Sequence, residues 1–356
     1  MFYPISTDIR FSELEYKKYA CHLTLDKVGN HGQKRLKAAK ILFVGAGGLA
    51  ASSIIYLASC GVGCLGIIDN DKVCYSNLHR QILYSYKDVG KLKVDVVRYK
   101  IKEINPQCYV NTYSLILNTE NSGDIIKNYD IVIDTTDNFK SRYVISRSCY
   151  LYHKIHIYGA VKSFEGHISV FNYKGGPLYS DLYPQNLKLI NKDCERFGVL
   201  GILTGIIGIL QAIESIKIIL GTGNILSGYL LVYNILDGSC KKSKICTKKT
   251  KNFIPYSFSN NWLSFNSINH NDLSLMIKSS NVILIDVRQA EEFIKYHVSK
   301  SINIPLKNIR FRKTIHFISV YCINKNIVIY CYDSLRSYIA SRILYKNHIN
   351  HYIFNI

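Results

Sequence analysis

The chain has 356 residues, 48% of them hydrophobic and 20% charged, which excludes a disordered chain and predicts a globular protein of two domains. Its 45 Lys and Arg outnumber 25 Asp and Glu, and a net charge of +20 is typical of proteins with an acidic partner, an anionic ligand or nucleic acid. The abundance of Lys, Asn, Ile and Tyr is a simpler explanation, because AT-rich genes favour these residues. No RNA-binding motif or zinc finger accompanies the charge, so the sequence predicts no nucleic-acid partner.

Eleven cysteines are scattered along the chain without a CxxC pair. This pattern predicts neither a disulfide framework nor a zinc knuckle, and it favours a reducing compartment. The first residues, MFYPISTDIRFSELEYKKYA, carry early acidic side chains and no apolar core, so no signal peptide is predicted. The cytoplasm and the stroma of a plastid that encodes the protein both fit, and the AT-rich composition favours the stroma.

Residues 12–40 predict polar helices with a break near Gly29 and Gly32, and strands and helices alternate after them. The predicted elements are, in chain order, the strand Ile41–Val44, the helix Leu49–Cys60, the strand Cys64–Ile68, the helix Gly90–Ile104, and the strands Val110–Leu115, Ile131–Asp134 and Ile155–Tyr158. This order predicts an α/β fold with a Rossmann-like, doubly wound and mostly parallel sheet.

A long apolar segment, GVLGILTGIIGILQAIESIKIILG, occupies Gly198–Gly221. Gln211, Glu214, Ser215 and Lys217 interrupt its second half, so the uninterrupted run is shorter than the roughly 18–20 residues that a bilayer requires. We therefore predict a buried core helix and no membrane contact.

The composition changes at Cys240, where CKKSKICTKKTKNFIPYSFSNN is first basic and then polar. A second, smaller α/β unit follows, with NVILIDVR and IVIYC as strands and a helix after them. The sequence thus predicts a first domain over residues 12–240, a basic linker over 241–262 and a second domain over 263–356.

The stretch ILFVGAGGLAASS runs from a strand through a glycine turn into a helix, an arrangement that binds phosphate. Gly45, Gly47 and Gly48 let the backbone approach phosphate oxygens, and Ala50 replaces the last glycine of GxGxxG. Asp69 ends the next strand about 20 residues later, the usual position of an acid that binds a ribose. A dehydrogenase would share both features, so they leave hydride transfer and adenylation open.

Polar side chains at the ends of the following elements favour chemistry at phosphorus. IIDNDKVCYSNLHRQ contains Asn77 and Arg80, VGKLK places Lys93 on a helix, and DTTDN places Asp137 after a strand. Arg and Lys bind triphosphate oxygens and a carboxylate binds magnesium, so that catalysis consists of positioning and charge neutralisation. Hydride transfer needs none of these groups.

These motifs, in one unbroken order over residues 12–240, resemble the MoeB/ThiF family of ubiquitin-activating-like adenylyltransferases. The resemblance implies that the Gly-Gly carboxylate at the C-terminus of a ubiquitin-like sulfur-carrier protein attacks the α-phosphate of ATP, with Mg2+ as cofactor. Pyrophosphate leaves and an acyl-adenylate forms. We expect this carrier to be that of molybdopterin synthase, which would place the reaction in molybdenum cofactor biosynthesis. The thiamine carrier and the tRNA-thiolation carrier are alternatives.

The resemblance also implies the roles of the site residues. Gly48 would contact phosphate, Asp69 the ribose hydroxyls and Asp137 the Mg2+ ion. Asn77, Arg80 and Lys93 would hold the phosphates, and the resemblance implies that Arg80, Lys93 and Asp137 are catalytic. The complete nucleotide-binding set that the resemblance implies is Gly45, Gly47, Gly48, Asp69, Ser76, Asn77, Leu78, His79, Arg80, Lys93, Asp137 and Asn138.

The chain also departs from the family pattern. KYACHL places Cys21 where the family has an arginine that reaches the ATP of a partner subunit, and Lys18 would substitute for it in part as a point charge. The resemblance implies a homodimer. GGPLYSDLYP places Leu178 and Asp181 where the family has a zinc-binding CxxC pair, and no pair occurs near Cys240–Cys246, so we predict no zinc. A non-catalytic scaffold that binds the carrier is therefore an alternative.

NKDCERFG retains Cys194, which the resemblance implies to be catalytic through a thioester or a mixed disulfide with the carrier. Lys192 and Arg196 would favour its thiolate. A spare cysteine in a flexible crossover loop is the alternative.

The second domain resembles the rhodanese family through VILIDVRQAEEFIKYHVSKSINIPL and IVIYCYDSLRSYIASRIL. The resemblance implies a catalytic Cys331 that carries a persulfide, cradled by loop N–H groups at a helix N-terminus, with Arg336 adding positive charge. Asp286 and Arg288 are predicted to be structural. The family normally continues through another helix beyond HYIFNI, and a fold with an inert cysteine is the alternative. The sequence does not indicate the sulfur donor.

Overall fold

The computed structural model describes residues 9–184, 198–246, 267–268, 273–274, 276, 282–309, 311–322, 325–331 and 334–355. The chain divides into two compact units. Among the described residues, the first unit contains those up to 246 and the second contains those from 267 onward. Each unit is built around a β-sheet of its own.

The first unit alternates helices and strands. Its helices are α1 (Glu13–Lys18), α2 (Ala20–Leu23), α3 (Gly29–Ala38), α4 (Gly48–Ser59), α5 (Lys93–Ile104), α6 (Ser122–Ile126), α7 (Phe139–Leu151), α8 (Tyr179–Leu182) and α9 (Gly201–Leu220). Its strands are β1 (Lys40–Val44), β2 (Cys64–Ile68), β3 (Tyr109–Tyr113), β4 (Ile131–Asp134), β5 (Ile155–Lys162), β6 (Glu165–Phe171), β7 (Tyr229–Asn234) and β8 (Cys240–Lys244). They form one sheet in the order β3-β2-β1-β4-β5-β6-β7-β8.

The first five strands of this order are parallel, and β5 to β8 pair antiparallel. The central strand β1 is buried on both faces. Ile41 and Phe43 pack into one hydrophobic cluster, and the alternate residues Leu42 and Val44 pack into another. A parallel strand covered on both sides needs such a continuous apolar run. The predicted Rossmann-like, mostly parallel sheet is confirmed.

Several boundaries differ from the prediction. The helix predicted from Gly90 begins at Lys93, because Gly90 has a φ of +87°, which a right-handed helix excludes. β5 continues to Lys162, beyond its predicted end, since it forms an antiparallel hairpin with β6. Residues 241–244, predicted as linker, belong to the edge strand β8. The predicted linker from residue 247 onward lies outside the described residues.

The long apolar segment forms α9. Among the described residues it is the one helix that could cross a membrane by length and composition, and 56% of its apolar window is buried. The Ser53 hydroxyl of α4 donates to the Gly208 carbonyl at 2.8 Å, and the Gln211 amide donates to the Asp134 carbonyl at 2.8 Å. These hydrogen bonds of Ser53 and Gln211 hold the helix against α4 and β4, and the predicted core helix is confirmed.

The second unit contains a smaller parallel sheet. Its described strands are β9 (Ser267–Ile268), β10 (Val282–Asp286), β11 (Ser301–Asn303), β12 (Asn326–Cys331) and β13 (Tyr352–Asn355), and its described helices are α10 (Ala290–Lys295), α11 (Leu306–Ile309), α12 (Arg312–Tyr321) and α13 (Ser334–Lys346). The strands follow the order β11-β10-β12-β13-β9, all in parallel. Ile327 and Ile329 pack on one face of β12, and Val328 and Tyr330 pack on the other. The predicted second α/β unit is confirmed.

Candidate functional site

The carboxyl end of β1 brings three predicted loops together. β1 lies between β2 and β4, and its last residue, Val44, is in register with Ile68 and Asp134. The Gly45 N–H donates to the Ile68 carbonyl at 2.8 Å, and the Thr135 N–H donates to the Val44 carbonyl at 3.1 Å. The loops that follow these strands thus lie side by side where the strand order changes direction. Ligands of doubly wound sheets bind at such a point.

The three predicted glycines, Gly45, Gly47 and Gly48, differ in their local structure. Gly45 has a φ of +98°, in the left-handed region that favours glycine. A Cβ on Gly48 would lie 2.7 Å from the Thr204 hydroxyl and 3.0 Å from the Arg80 carbonyl, so these groups approach too closely for a side chain. Gly47 caps the 12-residue helix α4 without a side-chain hydrogen bond. The N–H groups at such a helix start can bind a phosphate.

Asp69 follows β2 directly, as predicted, and anchors the glycine turn. Its Oδ2 accepts from the Ala46 N–H at 2.7 Å, and its Oδ1 accepts from the Asp71 N–H at 2.8 Å. Burial raises the pKa of Asp69, and the Lys93 ammonium, 3.9 Å from Oδ1, opposes this shift. Each carboxylate oxygen keeps a second lone pair, so Asp69 can accept from ribose hydroxyls without releasing the turn.

Lys93 begins α5, and its side chain is 5% exposed. Its ammonium lies 2.8 Å from Asp71 Oδ2 and 3.9 Å from Asp69 Oδ1. Two carboxylates therefore hold this buried cation beside the glycine turn, where it can neutralise phosphate charge. Asp71 is not among the site residues predicted from the sequence. The signal that could have found it is the pair of acids, spaced by one residue, directly after an apolar strand.

Residues 75–81, called the arginine loop below, fix the direction of the Arg80 guanidinium. One nitrogen of Arg80 donates to Asn77 Oδ1 at 2.6 Å, and another lies 3.3 Å from His79 Nε2. His79 Nδ1 is 2.9 Å from the Ser76 carbonyl. The structure thus brings these predicted residues together in one hydrogen-bonded loop.

The start of α9 lies against the arginine loop. Gly201 approaches the His79 carbonyl so closely that a Cβ would overlap it. The Thr204 hydroxyl donates to the Gly201 carbonyl at 2.7 Å and lies 3.5 Å from the Arg80 carbonyl. Leu78 packs its side chain against the hydrophobic core, so only its backbone is available to a ligand. α9 therefore supports the arginine loop, a role that its predicted place in the core did not indicate.

The turn after β4 presents Asp137 to solvent. Asp134 is buried; it accepts from the Thr136 N–H at 3.0 Å and lies 3.1 Å from His156 Nε2. Asn138 caps α7 with its side-chain oxygen, and its amide nitrogen donates to Asp137 Oδ1 at 3.3 Å. Buried contacts on one side and a helix cap on the other therefore position the Asp137 carboxylate.

The carboxylate of Asp137 fits Mg2+, because this ion commonly binds one or two protein carboxylates together with substrate phosphates. In the part of the chain that the structure describes, no group of three or more His, Cys, Asp or Glu could hold a metal ion.

Aromatic packing occupies the corner that contains Leu178 and Asp181. Asp181 accepts from the Leu178 N–H at 2.9 Å and so caps α8. The rings of Tyr179 and Tyr158 lie 5.3 Å apart, and Ile245 completes their buried cluster. These apolar contacts join the chain near residue 178 to the chain after β8.

Cys194 and Cys21 are also residues that the sequence singles out. Cys194 lies outside the described residues. Cys21 is exposed on α2, and the ammonium of Lys18 donates to the Ile104 carbonyl of its own chain at 3.0 Å.

In the second unit, Cys331 ends β12 and is 1% exposed. Arg336 lies in the first turn of α13 and donates to both oxygens of Glu292, at 2.6 and 2.9 Å. Since a cation in a first turn opposes the helix dipole, this carboxylate compensates for an unfavourable position. Arg288 donates to Asp286 Oδ2 at 2.6 Å within a buried pair, which confirms the predicted structural role of both residues.

The ion pair predicts a pH dependence of stability. Hydrogen bonds from Arg336 lower the pKa of Glu292 from 4.5 to about 2. The pair therefore stabilises the fold above pH 4.5 and loses this contribution as the pH falls toward 2. We expect scanning calorimetry between about pH 5 and pH 3 to show a steeper loss of stability for the wild type than for Glu292→Gln. The exposed neighbour Glu291→Gln is the control, and parallel curves for wild type and Glu292→Gln would contradict the prediction.

Residues 19–253 match the family model of ThiF, and residues 269–356 match that of the rhodanese-like domain. The chain belongs to the ThiF family. Its second unit is a rhodanese-like domain. The resemblance that the motifs indicated is therefore confirmed.

Relatives of this ThiF-family chain extend over nearly its whole length. A probable molybdopterin-synthase adenylyltransferase of Gracilaria tenuistipitata var. liui is 65% identical over 349 residues, 98% of each chain. A protein of the same name from Pyropia yezoensis is 44% identical over 350 residues, 96% of this chain and 92% of the relative. The adenylyltransferase and sulfurtransferase MOCS3 of Culex quinquefasciatus is 36% identical over 320 residues, 83% of this chain and 73% of the relative.

Solved structures share the ThiF-family fold. A crystal structure of E. coli MccB with AMPCPP and MccA has a TM-score of 0.58 and 21% identity, covering 66% of this chain and 72% of that chain. A crystal structure of PaaA has a TM-score of 0.57 and 21% identity, covering 67% and 77%. At these identities the likeness shows the fold alone.

Proposed function

We propose that this protein adenylates the C-terminal glycine of a ubiquitin-like sulfur carrier, and that the carrier is the small subunit of molybdopterin synthase. The observation that carries the reaction is the grouping of the α4 N-terminus, Asp69, Arg80 and Lys93 around the end of β1. Support for the carrier comes from the relatives of Gracilaria and Pyropia and from one of Porphyra purpurea, which share one name.

The proposed reaction needs positioning and charge neutralisation. The ATP phosphates would lie on the start of α4, with the ribose on Asp69 and the triphosphate charge neutralised by Arg80 and Lys93. Mg2+ bound at Asp137 would supply further neutralisation. The carrier carboxylate attacks the α-phosphorus, the bond to pyrophosphate breaks, and the acyl-adenylate forms. Because a carboxylate nucleophile is already ionised, the reaction needs no general base.

ATP–pyrophosphate exchange tests this proposal. The full chain is assayed with Mg2+ against the molybdopterin-synthase, thiamine and tRNA-thiolation carriers, and Asp137→Ala is the control. Exchange with the first carrier, lost in the control, supports the proposal, and exchange with another carrier alone would reassign the substrate. A wild type that binds ATP but exchanges with no carrier would favour a non-catalytic scaffold.

We also propose that the protein is a homodimer, and that Cys21 changes the contact that one subunit makes with the ATP of its partner. Cys21 supplies neither the charge nor the donors of an arginine. We expect Cys21→Arg to raise the exchange rate at least about tenfold, a fraction of what an arginine finger contributes to phosphoryl transfer. The exposed Cys240→Arg is the matched control. If both variants keep the wild-type rate, position 21 does not reach the reaction.

We also propose that the first unit folds without zinc, because the cluster of Tyr179, Tyr158 and Ile245 packs the corresponding corner. A strong zinc chelator is expected to leave the free energy of unfolding unchanged. Ile245→Ala should lower it by about 2–4 kcal/mol, since Ile245 is 6% exposed. Denaturant unfolding with and without chelator measures both effects, and a chelator-induced loss of stability would contradict the proposal.

For the second unit we propose sulfur transfer through Cys331, with Cys194 as the residue that bonds covalently to the carrier. The MOCS3 relatives, whose name includes sulfurtransferase, support this assignment. We propose the stroma of a plastid as the location, since relatives come from red algae. The domain boundary is proposed to lie between β8 and β9, with the first domain extending through Lys244.

A further inference from the structure

The Gln81 side chain is buried beside the glycine turn. It is 4% exposed, and within the described part of the chain its Oε1 has no hydrogen-bond partner. Its Nε2 lies 3.9 Å from the place that a Cβ would take on Gly47, the residue that caps α4. Its backbone N–H donates to the Asn77 carbonyl at 3.0 Å, which fixes the residue at the end of the arginine loop.

Two other buried glutamines allow a comparison. The Gln211 Oε1 is also unpaired among the described residues, but its Nε2 donates to the Asp134 carbonyl at 2.8 Å. Gln33 is 0% exposed, and both ends of its amide have partners. Its Nε2 donates to the Cys60 carbonyl at 2.8 Å, and its Oε1 lies 3.0 Å from His22 Nδ1. Buried polar groups are normally bonded in this way, and an unpaired one costs about 1–3 kcal/mol. The unpaired Oε1 of Gln81 therefore lowers the stability of the ligand-free protein, and no described protein contact offsets this loss.

The surroundings of Gln81 indicate what would satisfy it. Gly47 caps a 12-residue helix whose first N–H groups attract an anion, and Gly48 beside it leaves no space for a Cβ. Triphosphate oxygens accept hydrogen bonds, so they suit Nε2. Ribose hydroxyls and metal-bound waters donate hydrogen bonds, so they suit Oε1. A Mg2+–triphosphate nucleotide offers both kinds of group at once.

We propose that Gln81 is a nucleotide-binding residue, whose amide donates to a phosphate oxygen of ATP at the start of α4 and accepts from a hydroxyl or bound water of the same ligand. This inference rests on the proposed adenylation site and adds a residue to it. The side chain is neutral, so its contribution is orientation of the triphosphate and not charge neutralisation.

Calorimetric binding of ATP with Mg2+, without a carrier, tests the assignment. Gln81→Met keeps the length of the side chain and removes both hydrogen-bonding groups. We expect it to raise the Kd for ATP by about tenfold, the usual loss for one hydrogen bond to a charged group, without lowering the unfolding temperature of the free protein. Gln33→Met is the matched control, and we expect it to lower the unfolding temperature and leave the Kd unchanged.

Gln81→Glu adds a readout that a packing role would not produce. At about pH 8 its carboxylate repels the triphosphate, and at about pH 6 a buried carboxyl regains a proton and a donor. The Kd ratio of variant to wild type should therefore fall as the pH is lowered. An unchanged Kd in Gln81→Met, or a wild type that does not bind ATP, would overturn the inference. ATP binding without exchange would instead refute only the proposed adenylation.

Discussion

We expect Arg80→Ala to lower the rate of carrier-dependent pyrophosphate exchange by about 10²–10³-fold, the usual cost of removing one preorganised donor from a site where charge develops. Asn77, at 2.6 Å, and His79, at 3.3 Å, hold the guanidinium in one direction before ATP arrives. Thr204 and the glycine packing of α9 hold the backbone that carries it. The loss should appear mainly in kcat, because the negative charge that Arg80 meets increases as pyrophosphate leaves.

Two variants make this expectation specific. Arg147→Ala removes an exposed arginine from α7 and should keep the wild-type rate. Arg80→Lys should recover only part of the rate, since an ammonium lacks the planar fork that Asn77 and His79 orient. Exchange by Arg80→Ala within a factor of about three of wild type would show that the arginine loop does not bind the reacting phosphates.

The second large effect is expected at Cys331. Cys331→Ser should abolish sulfur transfer and leave pyrophosphate exchange unchanged, because the two reactions use different units of the chain. With thiosulfate as the probe, the Cys331 thiolate attacks the sulfane sulfur, the S–S bond of thiosulfate breaks, and sulfite leaves. The product is a persulfide on Cys331. Release of sulfite, measured in a single turnover, reports the step directly.

A neighbouring cysteine provides the control for this experiment. Cys322 is 7% exposed and packs in the same hydrophobic cluster as Cys331. Cys322→Ala should keep sulfite release, although it leaves a small cavity. If Cys331→Ser releases sulfite at the wild-type rate, the cysteine is inert and the second unit has a different role.

The main features of the fold could be predicted because they are local in the sequence. The parallel strands β2 and β4 are apolar runs that end in or directly before an aspartate, so each run itself predicts both the strand and its carboxyl end. Asp69 and Asp137 follow such runs, and the residues between Val44 and α4 themselves predict the glycine turn. Placing these residues in one site needed only the rule that ligands bind at the ends of parallel strands.

The sequence could not decide contacts between residues that are distant along the chain. Gly32, predicted to break a helix, lies inside α3, where a Cβ would approach Leu220 Cδ2 to 3.0 Å. A glycine in a sequence can mark the end of a helix or a close contact with a neighbouring element, and only the packing of the folded chain shows which it is.

The sequence by itself determined the chemical groups of this protein and the strand ends that carry them. The pairs that hold those groups in place depended on the tertiary structure, as with Lys93 and Asp71 at 2.8 Å or Arg336 and Glu292 at 2.6 Å. Periodicity and turn residues act within an element, whereas a partner 22 or 44 residues away is chosen by how whole elements pack. The sequence could not indicate the buried Oε1 of Gln81, which has no partner among the described residues, because burial without a partner is a property of the folded chain alone.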